Sequence, residues 1–408
     1  MIPEDPLGII ELGNKNISCL IFKINDNNES EILSTSITPS EGIYNDVVVN
    51  LGKASNSIRL CIGAAEKKAK VSLKKINVVF EQPDFLCTNF SKHKKIDGSK
   101  IDRVDIEFLL KEAKKQLILN DKHQSIIHIF NYNYIVDEKT FVEEPIGVYA
   151  NSLTHEITFI TAPKNNLKNI NQAFIDCDLE IERLISRTFT LGVKLFNDKE
   201  LEFGSVLINL ENEKISLGIF KNLALIYSIT LPIGINHLAK DISKVCSLNQ
   251  DESESIINSI DFSFKKNKDI FEKNNYLKNS YFTYSNYRKI SKDLVVDVIK
   301  SRLDEICNII KKELVISGLN LDAGINTLLF GESSDLINLE IYFLNFFGHN
   351  VRKVSKSSDI EDIEKNFAPS LGALKIIKDG WETEAIAEIS DKNKKKISFF
   401  GKIFNNYW

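Results

Sequence analysis

The sequence predicts an α/β fold built twice over, with a small α+β subdomain inserted into its first half. The first observation is a hairpin pattern at 206–221. Val206-Leu-Ile-Asn-Leu210, a polar turn from Glu211 to Lys214, and Ile215 to Phe220 read as two strands and a tight connection. The second is an echo of that pattern 198 residues earlier, at 9–23. Ile10/Ile208, Leu12/Leu210, Asn14/Asn212, Ile17/Ile215, Ser18/Ser216, Ile21/Ile219, Phe22/Phe220 and Lys23/Lys221 are identical pairs. A hairpin that opens each half implies duplicated architecture with a cleft between the halves. The third is a block of different texture, 82–162, whose strand, helix, strand, strand order suits a small inserted unit.

The elements follow in order. Residues 7–12, 17–24 and 32–37 read as strands, and Gly42 and Asn50 bracket a short extended piece. From Ser55 to Lys70 the pattern is helical, with Ile58, Cys61, Ile62, Ala65 and Ala69 on one face. Ile76 to Phe80 is a strand, and Pro83 breaks the chain. In the inserted block Asp102 to Leu119 is a helix, and Ile126 to Val136 and His155 to Thr161 are strands. A helix at 169–177, a strand at 179–185 and a helix at 190–195 close the first half.

After the second hairpin, Leu223 to Leu231 is a strand and a helix follows Gly234. Residues 251–290, rich in Asn, Ser and Lys, read as an elaborated loop with a short helix at 252–260. Ser291 caps a long helix to about Val315, stopped by Gly318. A strand at 325–330, a helix at 335–346 begun by Gly331-Glu-Ser-Ser, a strand at 351–354 and a helix begun by Pro369 complete the body.

Composition bounds the function. At 408 residues the chain exceeds one ordinary core, so two to four subdomains are expected. Its 43% hydrophobic and 26% charged residues are those of a soluble globular protein. A net charge of −4 argues against a general nucleic-acid binder. The six cysteines form no CxxC and read as reduced core residues of a cytoplasmic protein. The six histidines form no ligand pair, so no metal site is expected. Residues 1–6 lack a basic n-region and an apolar h-region, so no signal peptide is read there. No run approaches the roughly 18 apolar residues of a spanning helix.

Five segments in order resemble the signatures of the duplicated actin/Hsp70/sugar-kinase superfamily. They are a first hairpin at 9–17, a first crossing at 184–196, a second hairpin at 206–215, a Gly turn at 328–334 and a second crossing helix at 368–374. Within it the chain resembles the bacterial cell-division FtsA family. The insertion at 82–162 is placed as in that family. Glu144-Pro-Ile-Gly-Val148 resembles its Asn-Pro-Val-Gly-Leu, Gly234 to Ile242 follows its Gly-x-x-x-hydrophobic-x-x-Asp-Ile run, and Val298 to Ile306 resembles its Ile-x-x-Arg-x-x-Glu helix. The fold so implied is α/β: a duplicated actin-like (RNase H-like) fold with an inserted α+β subdomain and a C-terminal amphipathic helix. By that resemblance 7–81 with 163–203 form subdomain 1A, 82–162 form 1C, 204–250 with 319–378 form 2A, and 251–318 form 2B. A linker at 379–396 and a membrane-targeting helix at 397–408 follow.

The resemblance implies an ATP or ADP site with Mg²⁺ at three turns. A phosphate cradle needs close approach of backbone N–H groups, which glycine allows. The superfamily's first turn is Asp-x-Gly-Thr/Ser; here it is Glu11-Leu-Gly13-Asn14, followed by Lys15 and Asn16. The second should be Asp-x-Gly-Gly-Gly-Thr; here it is Asn209-Leu-Glu211-Asn-Glu-Lys214, without a glycine. The adenosine turn, normally Gly-Gly, is Gly331-Glu332. Glu211 and Glu213 stand where phosphate oxygens would lie, and like charges about 4 Å apart repel by about 1 kcal/mol even in bulk water. Only 18 glycines in the whole chain point the same way. The expectation is a degenerate site, with ATP weakly held or lost, and no hydrolysis, since the Mg²⁺ and water partners are altered at both turns.

Two other surfaces carry function in this reading. On a helical wheel Ile397, Phe399, Phe400, Ile403, Phe404, Tyr407 and Trp408 fill one half of the tail, with Ser398, Lys402, Asn405 and Asn406 opposite. Five lysines and no acid lie within 392–408, as suits a helix lying in the interface of an anionic membrane. In the family, the subdomain matching 251–318 binds the C-terminal peptide of the tubulin-like FtsZ. The Arg and Glu of its long helix match Arg302 and Glu305, which also suit an ordinary i, i+3 surface pair. The function so implied is a non-enzymatic scaffold that tethers the FtsZ ring to the cytoplasmic face of the inner membrane. Self-association into actin-like filaments and recruitment of later division proteins go with it, and no nucleic acid is involved. An ATPase or small-molecule kinase of the superfamily, or another actin-fold adaptor such as a pilus-assembly relative, stands as the alternative.

Overall fold

The computed structural model describes residues 5–142, 144–265, 270–319, 325–348, 350–354 and 366–385. The tail helix expected at 397–408 and the end of the expected linker lie outside the described residues. Two compact units are present. The second is formed by Ser205–Leu217 and Thr230–Lys356; the first is built mainly on residues 5–204, with 218–229 and the described C-terminal segment.

The first hairpin is β1 (Leu7–Leu12) and β2 (Asn16–Ile24), followed by β3 (Ser30–Pro39). A two-residue hairpin, β4 (Ile43–Tyr44) and β5 (Val47–Val48), leads to α1 (Leu51–Ala69). Asn50 caps α1 by accepting from the Lys53 N–H, so the helix starts four residues before the apolar period does. β6 (Lys75–Phe80) and β11 (Glu180–Ser186) complete a sheet ordered β11-β6-β1-β2-β3. β1, β6 and β11 run parallel, and β2 and β3 are antiparallel. Ile9, Ile10, Leu12, Ile17 and Cys19 to Phe22 are all fully buried, because helices cover both faces.

Between β6 and β11 lies the insertion: β7 (Leu86–Lys100), α2 (Arg103–Asn120), β8 (Gln124–Val136), β9 (Thr140–Val142) and β10 (Tyr149–Pro163). β10 pairs with both β7 and β8, and α2 packs Ile106, Leu109, Leu110, Ala113 and Leu117 into their core. β7 is rich in Lys and buries little beyond Phe90 and Ile96, which is why apolar alternation did not locate it. α3 (Lys164–Ile175) returns the chain to the first sheet, and α4 (Arg187–Leu195) and α5 (Asp198–Phe203) follow β11.

The second hairpin is β12 (Ser205–Leu210) and β13 (Ile215–Lys221), then β14 (Ala224–Leu231), β15 (Asn326–Phe330) and β16 (Val351–Lys353). The order is β14-β13-β12-β15-β16, with β12, β15 and β16 parallel. Strand for strand this repeats β3-β2-β1-β6-β11, so the echo in the sequence reflects a duplicated topology. α6 (Asn236–Cys246), α7 (Gln250–Ser259), α8 (Lys292–Ile316) and α9 (Leu339–Phe347) belong to the second unit. The irregular stretch after α7 is pinned by one acid. Buried Glu252 accepts from the Tyr284 and Ser285 N–H groups, the Ser285 hydroxyl and the Asn249 N–H. Burial works against its charge, but those hydrogen bonds hold its carboxyl down at about 2.

Two differences from the sequence reading have physical causes. After Gly331 the chain makes only a short 3-10 turn, Glu332–Asp335, and α9 begins at Leu339, because Asn338 adopts a left-handed conformation (φ 61°) that no helix interior allows. The stretch read as linker, 379–396, opens with ordered chain. α10 (Ala368–Asp379) ends at Gly380, and β17 (Glu384–Ala385) then joins β8. Polar composition hides this docking, since its two buried residues are a glutamate and a small alanine.

Candidate functional site

The first turn is built from the β1–β2 connection. A Cβ at Gly13 would lie 2.4 Å from the Asn16 carbonyl oxygen, so the closing turn requires glycine there. Asn14 Oδ1 accepts from the Asn45 N–H at 3.2 Å, and the Lys15 carbonyl accepts from the Ser40 N–H at 2.9 Å. Lys15 and Asn16 are exposed. Glu11, at the end of β1, faces a cation that the motif reading did not include. Arg187 Nε lies 2.9 Å from Glu11 Oε1, and its guanidinium also reaches Asp46 at 2.8 Å and the Leu12 carbonyl. Asp46 is fully buried and takes the Glu81 N–H at 2.7 Å. Glu81 in turn accepts from the Ser186 hydroxyl and the Thr188 N–H, both at 2.8 Å.

One buried arginine thus sits among Glu11, Asp46 and the first-turn backbone. Its place as the first residue of α4 comes from the β11–α4 junction, where Ser186 caps the helix by accepting from the Phe189 N–H. The sequence signal was present: an arginine near the head of the segment read as the first crossing.

The second turn is also closed by its own side chains. The Glu211 N–H donates to the Lys214 carbonyl at 3.0 Å, and the Glu211 and Asn212 carbonyls accept from Ile235 and Asn236. Asn209 Nδ2 donates to Glu211 at 2.8 Å, and the buried Lys214 ammonium lies 3.8 Å from the same carboxylate. Glu213 takes Lys240 at 2.8 Å and Asn236 at 2.6 Å. Partial burial opposes its charge, yet those two donors hold its carboxyl below the usual range. The like charges of Glu211 and Glu213 are therefore separated onto different cations. Gly331 has φ 102°, and a Cβ there would lie 2.5 Å from the Leu210 carbonyl. Glu332 accepts from Asn212 Nδ2 at 2.8 Å, and the Ser333 hydroxyl meets Asn212 Oδ1 at 3.2 Å. Asn209, Glu211, Lys214, Gly331 and Glu332 are thus brought together within the second unit, while Glu11, Gly13, Asn14, Lys15 and Asn16 lie in the first.

On α8, Arg302 and Glu305 do pair, at 2.5 Å. Arg302 also makes a fork on Asp241 of α6, at 2.6 and 3.1 Å. That second partner comes from the Asp-Ile run already noted, so two separate motif residues meet in one ion pair. Asp241 first, then Glu305, keep the guanidinium firmly charged.

Comparison with known proteins points to one family. A family model described as the SHS2 domain inserted in FTSA matches residues 85–161. A relative from Buchnera aphidicola subsp. Acyrthosiphon pisum, named cell division protein FtsA, is 23% identical over 98% of this chain and 96% of its own length. One from Borreliella burgdorferi with the same name is 22% identical over 97% and 96%. The chain is similar to cell division protein FtsA over nearly its whole length. That likeness supports the coarse role of an actin-like cell-division protein. Among solved structures, a type IV pilus biogenesis PilM-PilN complex chain superposes with a TM-score of 0.59 at 13% identity, covering 92% of this chain and 99% of its own. That likeness, and one to a diol dehydratase-reactivating factor at a TM-score of 0.52 and 7% identity, bears on the fold alone. At both turns a protein cation lies against the acid: Arg187 against Glu11, Lys214 against Glu211 and Lys240 against Glu213. Among the described residues no helix is long and apolar enough to cross a membrane.

Proposed function

We propose that this chain is a cell-division scaffold that ties the FtsZ ring to the cytoplasmic face of the inner membrane and recruits later division proteins. The observation that carries the proposal is the nearly end-to-end match to relatives named cell division protein FtsA. FtsZ engagement is assigned to the α8 face around Arg302 and Glu305, and membrane attachment to the aromatic half of 397–408. Self-association into filaments belongs to the same reading. Catalysis does not: Arg187 and Lys214 supply against Glu11 and Glu211 the positive charge that a nucleotide's metal would otherwise bring, and the second turn has no glycine to admit phosphate.

The tether is tested on anionic phospholipid vesicles. The full chain should co-sediment with them, more weakly as salt rises, and a chain lacking 397–408 should stay in the supernatant. Unchanged sedimentation of the shortened chain would remove the tail from this role.

A further inference from the structure

Residues 380–385 carry the polar composition of a linker, yet they are held at several points. Trp381 Nε1 and Thr383 Oγ1 both donate to the Leu223 carbonyl, at 2.6 and 2.8 Å. The Trp381 ring stands edge-on to Phe189 at 5.8 Å, and the Lys375 ammonium lies over it at 5.8 Å. The Thr383 carbonyl accepts from the Asn131 N–H at 2.7 Å. Glu384 and Ala385 then pair antiparallel with Phe130 and Ile129 of β8. Ala385 reaches the core of the inserted subdomain.

Glu384 is the key. It is 1% exposed and meets Arg183 of β11 and, at 2.6 Å, His128 Nδ1 of β8. His128 Nε2 accepts from the Ser186 N–H at 2.9 Å, so the proton sits on Nδ1 and is donated to the carboxylate. One side chain thereby joins β8, β11 and the start of α4. β9 covers the far end of the same β8 edge, and 384–385 cover the near end. Without them, backbone groups at Ile129–Asn131 would lose their partners, and the buried His128 and half-buried Arg183 would lose their acid.

We propose that the β8 edge, Arg183, His128 and the Leu223 carbonyl form a peptide-binding site for a single extended strand, filled in this chain by its own residues 381–385. The strand is read by a Trp, a Thr and a Glu at positions 381, 383 and 384, with main-chain pairing supplying the rest. Residue 386 follows this strand directly in sequence, so the docked strand fixes the point from which the basic tail of the sequence continues. Release of the strand would move that origin back to the end of α10.

The full-length chain tests this by hydrogen exchange and by binding of a labelled peptide spanning 380–387. Glu384→Gln should raise exchange at the Asn131 and Ser186 amides about tenfold or more, with β12 and β15 unchanged. The peptide should bind the Glu384→Gln chain and restore that protection, and should not bind the wild-type chain, whose site is occupied. The same peptide carrying Glu384→Gln should not bind. Trp381→Ala provides a second route to the opened site if the first variant folds poorly. Unchanged exchange in both variants, or equal binding of the two peptides, would overturn the proposal.

Discussion

At the scale of residues, the protein answers a simple electrostatic question in one way at both turns. The acid at each turn needs a counter-charge, and here the chain supplies it from within. Removing one partner of a buried pair leaves the other uncompensated, at a cost of about 3–5 kcal/mol. Arg187→Gln should therefore lower the unfolding free energy by that order, read by denaturant melts. Calorimetric titration of the wild-type chain with Mg·ATP should give no heat of binding at sub-millimolar ligand; micromolar binding would refute the closed-turn reading. Acid sensitivity follows from the inserted sheet. Burial holds His155 neutral with a pKa of about 3, and burial likewise lowers that of His128. A histidine whose folded pKa is depressed stabilises the fold above its unfolded value near 6.5 and loses that contribution on acidification. Glu384, held at about 2 by Arg183 and His128 against its burial, adds a further loss as pH falls below about 4. Unfolding free energy should thus fall by about 2 kcal/mol between pH 7 and 5 from His155 alone, and more steeply below pH 4, with a matching fall in melting temperature. A flat profile from pH 7 to 5 would contradict the burial of these histidines.

At the scale of elements, the hairpins and long helices were legible and the polar joints were not. Apolar alternation found β1, β2, β12 and β13, and Ser291 and Gly318 bracketed α8 because capping chemistry is local. β7 and β17 escaped because their pairing is not written in apolar residues. The two crossing helices show what a glycine does at close approach. A Cβ at Gly372 of α10 would lie 1.9 Å from the Thr190 carbonyl of α4. Gly372→Leu should abolish folding or cost more than the roughly 1–3 kcal/mol of ordinary overpacking, as judged by circular dichroism melts. A melt like that of the wild type would mean the helices are not in contact.

At the scale of the whole molecule, the duplication was readable from eight identical pairs and is realised as two sheets of the same strand order. The candidate site was half legible. Motif spacing picked out Glu11, Gly13, Asn209, Glu211, Gly331 and the Lys214 beside Glu211, but the cations against Glu11 and Glu213, Arg187 and Lys240, are distant in sequence. Arg302 was read as a pair with Glu305, whereas its fork on Asp241 lies 61 residues away. The scaffold account stands or falls on its partner. A labelled FtsZ C-terminal peptide from the same organism, titrated into the full-length chain and followed by fluorescence anisotropy, should bind saturably. Arg302→Glu should weaken that binding about tenfold or more, and Asp241→Asn, which disturbs the same ion pair from the other helix, should weaken it less. No binding to the folded wild-type chain, or equal binding by the Arg302→Glu chain, would contradict the account.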